Sequence, residues 1–125
     1  MTSFEPTRIS DTVNAALAGP AGVAAVITVF RAVPGVVHTP ARRGMFRSAP
    51  EQVQIGDWRY EVGPDGRLRA AHIVGDIVIA EESLDAHAVG PHIARSLDQL
   101  VGRYGTAICP HIDAAVEVLR IDVGP

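Results

Sequence analysis

The sequence predicts an α+β fold in which N-terminal and C-terminal helices cover a three-stranded antiparallel meander at about residues 53–82. Three observations predict it: apolar side chains alternate along three short runs, tight turns separate the runs, and helix-spaced apolar residues flank them. The turns are Gly63-Pro64-Asp65-Gly66 and Gly75-Asp76. Strands joined by such short turns are antiparallel neighbours. A three-stranded sheet needs a cover on its apolar face, which the flanking helices can supply.

The first predicted strand changes phase halfway along its length. Its apolar side chains alternate in one phase at Val53 and Ile55, and in the other at Trp58, Tyr60 and Val62. One extra residue at Gly56-Asp57, a β-bulge, would return both sets to the same face of the sheet. We therefore expect a single bulged strand here, followed by strands over 67–74 and 77–82.

Two helices are predicted before the meander. The first begins near Thr7 or Ser10, whose hydroxyl groups can cap free backbone N–H groups, and Gly19-Pro20 ends it. The second covers residues 20–33, where apolar side chains follow helical spacing. That segment also contains a β-branched run typical of strands, so a strand stays open as the alternative to the favoured helix.

Two helices are also predicted after the meander. Ser83 or Asp85 can cap the first of them, Gly90-Pro91 interrupts or restarts it, and Gly105 ends it. Its apolar positions follow one helical face: Ile93, Leu97, Leu100, Val101 and Tyr104. A closing helix is predicted over residues 110–121.

The 125 residues are expected to form a single domain, because this length lies near the commonest domain size. Two of its segments show no regular pattern. Residues 1–7 are expected to form a loose arm. Residues 34–51 contain three prolines and two glycines and are expected to form a long irregular connection.

The composition argues against several classes of protein. The net charge is −3, with eleven basic residues that are all arginine, so general binding to nucleic acid is not expected. Cys109 is the only cysteine, which excludes a disulfide within the chain. The first residues do not read as a signal peptide, and Arg31 and Pro34 interrupt the most apolar stretch. We therefore expect a cytoplasmic location, no membrane contact and no cofactor.

Two groups of residues could provide a reactive thiol or a metal site. Cys109 stands two residues before His111, and a nearby imidazole can activate a cysteine as a thiolate, although a lone cysteine in an apolar stretch is usually buried. His87 and His92 lie about 140° apart on a helix of 3.6 residues per turn, so they share a metal only if Gly90-Pro91 bends the chain. No metal site is expected.

Two carboxylates offer acid–base chemistry. Glu81 and Glu82 end the third predicted strand, so one of them points to each face of the sheet. One of the two could be partly buried beside His72 and resemble an acid–base pair. The plain alternative is a solvated, charged strand end.

Arginines and aromatic residues offer a binding site for an anion. Arg42, Arg43 and Arg47 lie in the irregular connection, and arginine recognises phosphate or carboxylate with paired hydrogen bonds. Trp58 and Tyr60 could give such a pocket an apolar floor, although aromatic side chains are more often part of the core.

Several phrases of the sequence resemble a small family of uncharacterised actinobacterial proteins, a domain of unknown function. They are Ala18-Gly19-Pro20, VVHTPARRG at 36–44, IGDWRYEV at 55–62, IVIAEE at 77–82 and VGPHIAR at 89–95. The resemblance spans most of the chain and implies a single domain without implying an activity. The phrase Ala32-Val33-Pro34-Gly35-Val36 also resembles the alkaline-shock-protein family, although the long segment after it departs from that pattern.

The sequence supports two main hypotheses about function. The leading hypothesis is a non-enzymatic binding or assembly domain that forms a homodimer, through an edge strand of the meander or the 20–33 segment, with room for a protein partner. The alternative is a small enzyme or metabolite-binding protein with a pocket between meander and helices, where His72, Glu81 or Glu82 would exchange protons. A nucleic-acid contact through the 42–47 loop is a third hypothesis, which the overall acidity disfavours.

Overall fold

The computed structural model describes residues 4–18, 22–44 and 48–123, which contain four helices and seven strands. The helices are α1 (Pro6–Leu17), α2 (Gly22–Phe30), α3 (Ala86–Tyr104) and α4 (Cys109–Val123). The strands are β1 (Val37–Thr39), β2 (Arg42–Arg43), β3 (Ser48–Ala49), β4 (Gln52–Ile55), β5 (Trp58–Val62), β6 (Leu68–Val74) and β7 (Ile77–Leu84). The predicted α+β class is confirmed.

The main sheet has five antiparallel strands in the order β1-β4-β5-β6-β7, and β2 and β3 form a separate pair. The meander was predicted with three strands, so the class is right and the strand count is wrong. One of the two further strands, β1, comes from the segment that was expected to be irregular. The other arises because the first predicted strand is a hairpin.

Gly56-Asp57 is the tight turn between β4 and β5, and the predicted bulge is wrong at this position. Ile55 pairs with Trp58 and Val53 with Tyr60, and Gly56 has φ +61°, which glycine adopts readily at a two-residue turn. Directly opposite residues of a hairpin share a face, as residues on either side of a bulge do. Both arrangements therefore explain the same change of phase. A register shift does occur further along, where β6 and β7 pair.

The segment 34–51 was wrongly expected to be irregular throughout, since it contributes β1, β2 and β3. These strands are two or three residues long, too short for alternation to be visible in sequence, and their partners define them. β1 lies beside β4, with His38 opposite Val53.

The helices lie close to their predicted positions, with differences in where they begin. α1 begins at Pro6 after Glu5, so the end of the expected arm and the caps at Thr7 or Ser10 are corrected, whereas residues 1–3 lie outside the described residues. Proline suits a first helical turn because its missing N–H has no partner there anyway. The helical reading of 20–33 is confirmed by α2. Gly19-Pro20 lies outside the described residues.

α3 continues through Gly90-Pro91, where an interruption was expected. Pro91 cannot donate to the carbonyl of His87, and the Asn14 side chain donates to that carbonyl instead, at 3.3 Å. The amide oxygen of Asn14 accepts from the Gly90 N–H at 2.8 Å. A Cβ at Gly90 would collide with the Ser10 carbonyl oxygen, so glycine allows α1 and α3 to pack closely. Gly105, with φ +88°, ends the helix as predicted.

The core lies between the sheet and the helices. α2 and α3 contact the sheet, α1 packs against both of these helices, and α4 packs against α1 and α2. The sheet face beneath them buries Val53, Ile55, Tyr60, Leu68 and Ala70. The other face carries Gln52, Gln54, Arg59, Glu61 and Arg69, which are half-buried. None of the described helices combines the length and the apolar character needed to cross a membrane.

Candidate functional site

A half-enclosed cavity of about 420 Å³ opens where α3 crosses the strands β5 and β7. Its walls are formed by Trp58, Glu82, His92, Arg95 and Gln99. Cavities that bind small molecules start at about this size, and they combine apolar surface with a few polar groups, as this one does.

A buried hydrogen-bonded cluster of Tyr60, His92 and Ser96, called here the polar cluster, lies behind the cavity. The Tyr60 hydroxyl lies 2.7 Å from His92 Nδ1 and shares a short hydrogen bond with Ser96 Oγ. His92 and Ser96 are four residues apart on α3 and therefore share a helix face. The strand alternation directs Tyr60 to the sheet face that α3 covers. All three side chains are buried, so the fold brings a chain of polar groups into its core.

The protonation of the polar cluster follows from its burial. Burial lowers the pKa of His92 below its ordinary value, and the nearby Arg95 lowers it further, while Glu82 raises it to a smaller extent. Burial likewise raises the pKa of the Tyr60 hydroxyl, against an opposing effect of the hydrogen bond with Ser96. His92 is therefore neutral and Tyr60 keeps its proton near neutral pH. When Nε2 of His92 carries the proton, the Tyr60 hydroxyl donates to Nδ1 and accepts from Ser96.

Trp58 is held in place by two histidines. The His72 ring stacks on the indole with centroids 4.7 Å apart, and the His92 ring meets it edge-on at 4.4 Å. Trp58 and His72 are directly opposed across β5 and β6, which is why their rings meet. The half-buried indole supplies the apolar part of the cavity wall.

The charged walls of the cavity come from two different elements. Glu82 on β7 has a carboxylate oxygen 3.8 Å from His92 Nε2. Arg95 on α3 makes no ion pair within 4.0 Å among the described residues. The cavity thus contains one carboxylate and one guanidinium that are not paired with each other.

Asp57 fixes the position of α3 over the sheet. Its backbone N–H donates to the Gln99 side chain at 2.9 Å, and its carboxylate accepts from Gln99 at 3.0 Å and from Arg103 at 3.1 Å. A Cβ at Gly56 would collide with the Gln99 amide, so the glycine of the turn is required for this contact. These bonds tie the β4–β5 turn to the helix that carries His92 and Arg95.

Four of the candidate residues named from the sequence meet around this cavity: His72, Trp58, Tyr60 and Glu82. Glu81 and Glu82 point to opposite faces of the sheet, and Glu81 lies 3.9 Å from Arg69 on the face away from the helices. The expected partner of the glutamate was His72, whereas the histidine that the structure places beside Glu82 is His92.

The other candidates lie elsewhere. Cys109 is buried in the core at the start of α4, and His111, two residues later, is exposed, so the two side chains face different directions. Arg42 and Arg43 are exposed beside a separate cavity near Pro64, and Arg47 lies outside the described residues. His87 is exposed whereas His92 is buried. Within the described ranges, no three His, Cys, Asp or Glu side chains come together as a metal site requires.

Sequence reasoning missed Ser96, Arg95 and Gln99, and it considered His92 only as a metal ligand. A signal was present in α3. His92 and Ser96 each immediately precede an apolar residue of the buried face, Ile93 and Leu97, and so fall on the edge of that face. Polar side chains at such positions indicate a buried hydrogen-bonded pair, provided that the partner can be found.

The comparisons with known proteins identify a family. No curated protein and no solved structure matches the chain. A family model described as Domain of unknown function (DUF5073) matches residues 1–121, nearly the whole chain. The resemblance to an uncharacterised family inferred from the sequence is thereby confirmed, and the chain belongs to the DUF5073 family.

Proposed function

We propose that this chain is an intracellular, single-domain, non-enzymatic assembly protein that forms a homodimer through strand β7. One observation carries the proposal. β7 is the last strand of the sheet, and Ile77, Val78 and Ile79 on it are exposed, as is Val74 at the end of the neighbouring strand β6. These four side chains are called here the apolar edge. Exposed apolar strands at sheet edges offer unpaired N–H and C=O groups to another strand.

The opposite edge of the sheet gives the contrast that supports this assignment. β1 is three residues long, and Pro34 and Pro40 flank it, both of which limit strand pairing. β7 is eight residues long and contains no proline. Length and composition therefore favour β7 as the edge that joins a second copy.

Charge favours an antiparallel arrangement of the two copies. Glu81 and Glu82 lie towards one end of β7, and a parallel pairing in register would place the glutamates of both copies side by side. Antiparallel pairing centred near Ile79 separates them and creates a two-fold axis, as in most homodimers.

The test is the mass in solution of Ile79→Lys, measured by light scattering across micromolar concentrations. Val37→Lys is the matched control: Val37 on β1 and Ile79 on β7 are both 58% exposed, and both changes add one positive charge. We expect a dimer for the wild type and for Val37→Lys, and a monomer for Ile79→Lys. A monomeric wild type, or an Ile79→Lys variant that stays dimeric, would refute the proposal.

A second candidate function is the binding of a small metabolite in the cavity beside Trp58. The polar cluster supports it, because Tyr60 and Ser96 fix the His92 ring at the cavity wall before any ligand arrives. Native mass spectrometry of gently purified protein tests it. We expect a retained mass that Arg95→Gln reduces and that Arg42→Gln, which lies outside the cavity, leaves unchanged. A wild type that carries no added mass counts against this candidate.

A further inference from the structure

The cavity combines opposite charges in a way that points to a class of ligand. The Glu82 carboxylate faces His92, which burial keeps neutral, and no arginine lies within 4.0 Å of it among the described residues. Arg95 has no carboxylate within the same distance in the described part of the chain. A molecule with one cationic and one anionic group would pair with both charges at once.

Packing anchors the backbones of the two charged residues. Glu82 belongs to β7, and Arg95 belongs to α3, which the hydrogen bonds of Asp57 with Gln99 and Arg103 fasten to the sheet. The carboxylate and the guanidinium therefore start from anchored backbone positions on two different elements of the cavity wall. Such anchoring lowers the entropy cost of ordering the site around a ligand.

Trp58 gives the cavity a surface for an apolar group. The Trp58 indole lines the same cavity as the two charged residues, and its stacking on His72 restricts its movement. A cavity of about 420 Å³ accommodates a small molecule.

We infer that the cavity binds a free α-amino acid with an apolar side chain. Arg95 pairs with its carboxylate, Glu82 pairs with its ammonium group, and its side chain packs against Trp58. This inference rests on the second candidate function, the metabolite-binding cavity.

Three probes with the same ring separate the contributions of the two charges. L-phenylalanine carries both charges, 3-phenylpropionate lacks the ammonium group, and phenethylamine lacks the carboxylate. Trp58 is the only tryptophan of the chain, so its fluorescence reports binding at the cavity. Because a hydrogen bond to a charged group contributes about 1.5–3 kcal/mol, we expect L-phenylalanine to bind about tenfold or more tightly than either analogue.

Two variants assign each charge to its partner. Glu82→Gln should weaken L-phenylalanine about tenfold and leave 3-phenylpropionate unchanged, whereas Arg95→Gln should weaken L-phenylalanine and leave phenethylamine unchanged. Glu81→Gln is the matched control, because the neighbouring carboxylate lies on the other face of the sheet. It should bind all three probes as the wild type does.

The outcomes distinguish the amino-acid inference from the cavity itself. If either analogue binds as tightly as L-phenylalanine, the cavity binds ligands but the amino-acid inference is wrong. If no probe changes the Trp58 emission at millimolar concentration, the inference is also wrong. A retained mass of another chemical class in the native spectrum would then preserve the second candidate function alone.

Discussion

The polar cluster places polar side chains inside the protein, and the apolar edge places apolar side chains on its surface. The two regions differ in whether their groups have partners within the chain. Tyr60, His92 and Ser96 satisfy one another, and among the described residues no buried side-chain polar atom lacks a partner. The apolar edge has no such partner within the described chain, since β7 pairs on one side only, with β6. A satisfied cluster supports the fold, whereas an unsatisfied edge is available to another molecule.

The free energy of unfolding distinguishes the polar cluster from the apolar edge. Changes inside the core should cost stability in proportion to the packing or hydrogen bonds they remove. Changes on the apolar edge should leave the stability of the monomer unchanged.

Leu97→Ala should have the largest effect. Leu97 is fully buried on α3, one residue after Ser96, and removing its side chain leaves a cavity. We expect a loss of about 2–5 kcal/mol in denaturant unfolding. Val118→Ala is the control on α4, where the side chain is half exposed and the change should be small. A loss below about 1 kcal/mol for Leu97→Ala would contradict the packing of α3 described above.

Tyr60→Phe should have the next largest effect, because it removes only the hydroxyl that joins His92 to Ser96. Leaving these buried polar groups without their shared partner should cost about 1–3 kcal/mol. Tyr104→Phe removes the same hydroxyl from an exposed tyrosine and should be nearly neutral. Equal losses in the two variants would show that the polar cluster contributes nothing specific to stability.

The pH dependence of stability should report the burial of His92. Its folded pKa lies below the ordinary value of 6.5, so the unfolded chain binds the proton more readily. Stability from this source is complete above pH 6.5 and is lost as the pH falls from there towards the folded pKa. His92→Gln should make unfolding less dependent on pH in this range. His87→Gln, at an exposed position of the same helix, should keep the wild-type dependence. A His92→Gln profile parallel to that of the wild type would contradict this assignment.

Ile79→Ala should have the smallest effect on the monomer. Its side chain is 58% exposed, so we expect a change within about 0.5 kcal/mol when unfolding is measured at high dilution. At higher concentration, the wild type should gain stability from association and the variant should gain less. A large loss of unfolding free energy at high dilution would mean that the apolar edge packs within its own chain. It would contradict the claim that this edge is available to another molecule.

The candidate site was predictable only in part. Trp58, Tyr60, His72 and Glu82 were found because strand alternation and aromatic or titratable character single them out in sequence. Their partners on α3 were not found, because nothing local relates Tyr60 to His92, which follows 32 residues later. The contact exists because α3 crosses β5, and sequence periodicity does not determine where a helix crosses a sheet.

Local patterns in the sequence were enough to predict the α+β class, the turns at 63–66 and 75–76, the helical state of 22–30 and the end of α3 at Gly105. These features depend on the conformational preferences of neighbouring residues and on which side chains share a face. Contacts between distant segments were needed to establish that Gly56-Asp57 is a hairpin turn, that β1 joins the sheet and that β7 is its open edge. They were also needed to establish that His92, rather than His72, lies beside Glu82. Each of these depends on pairing between segments distant in the chain, and the local pattern is the same whichever partner is chosen.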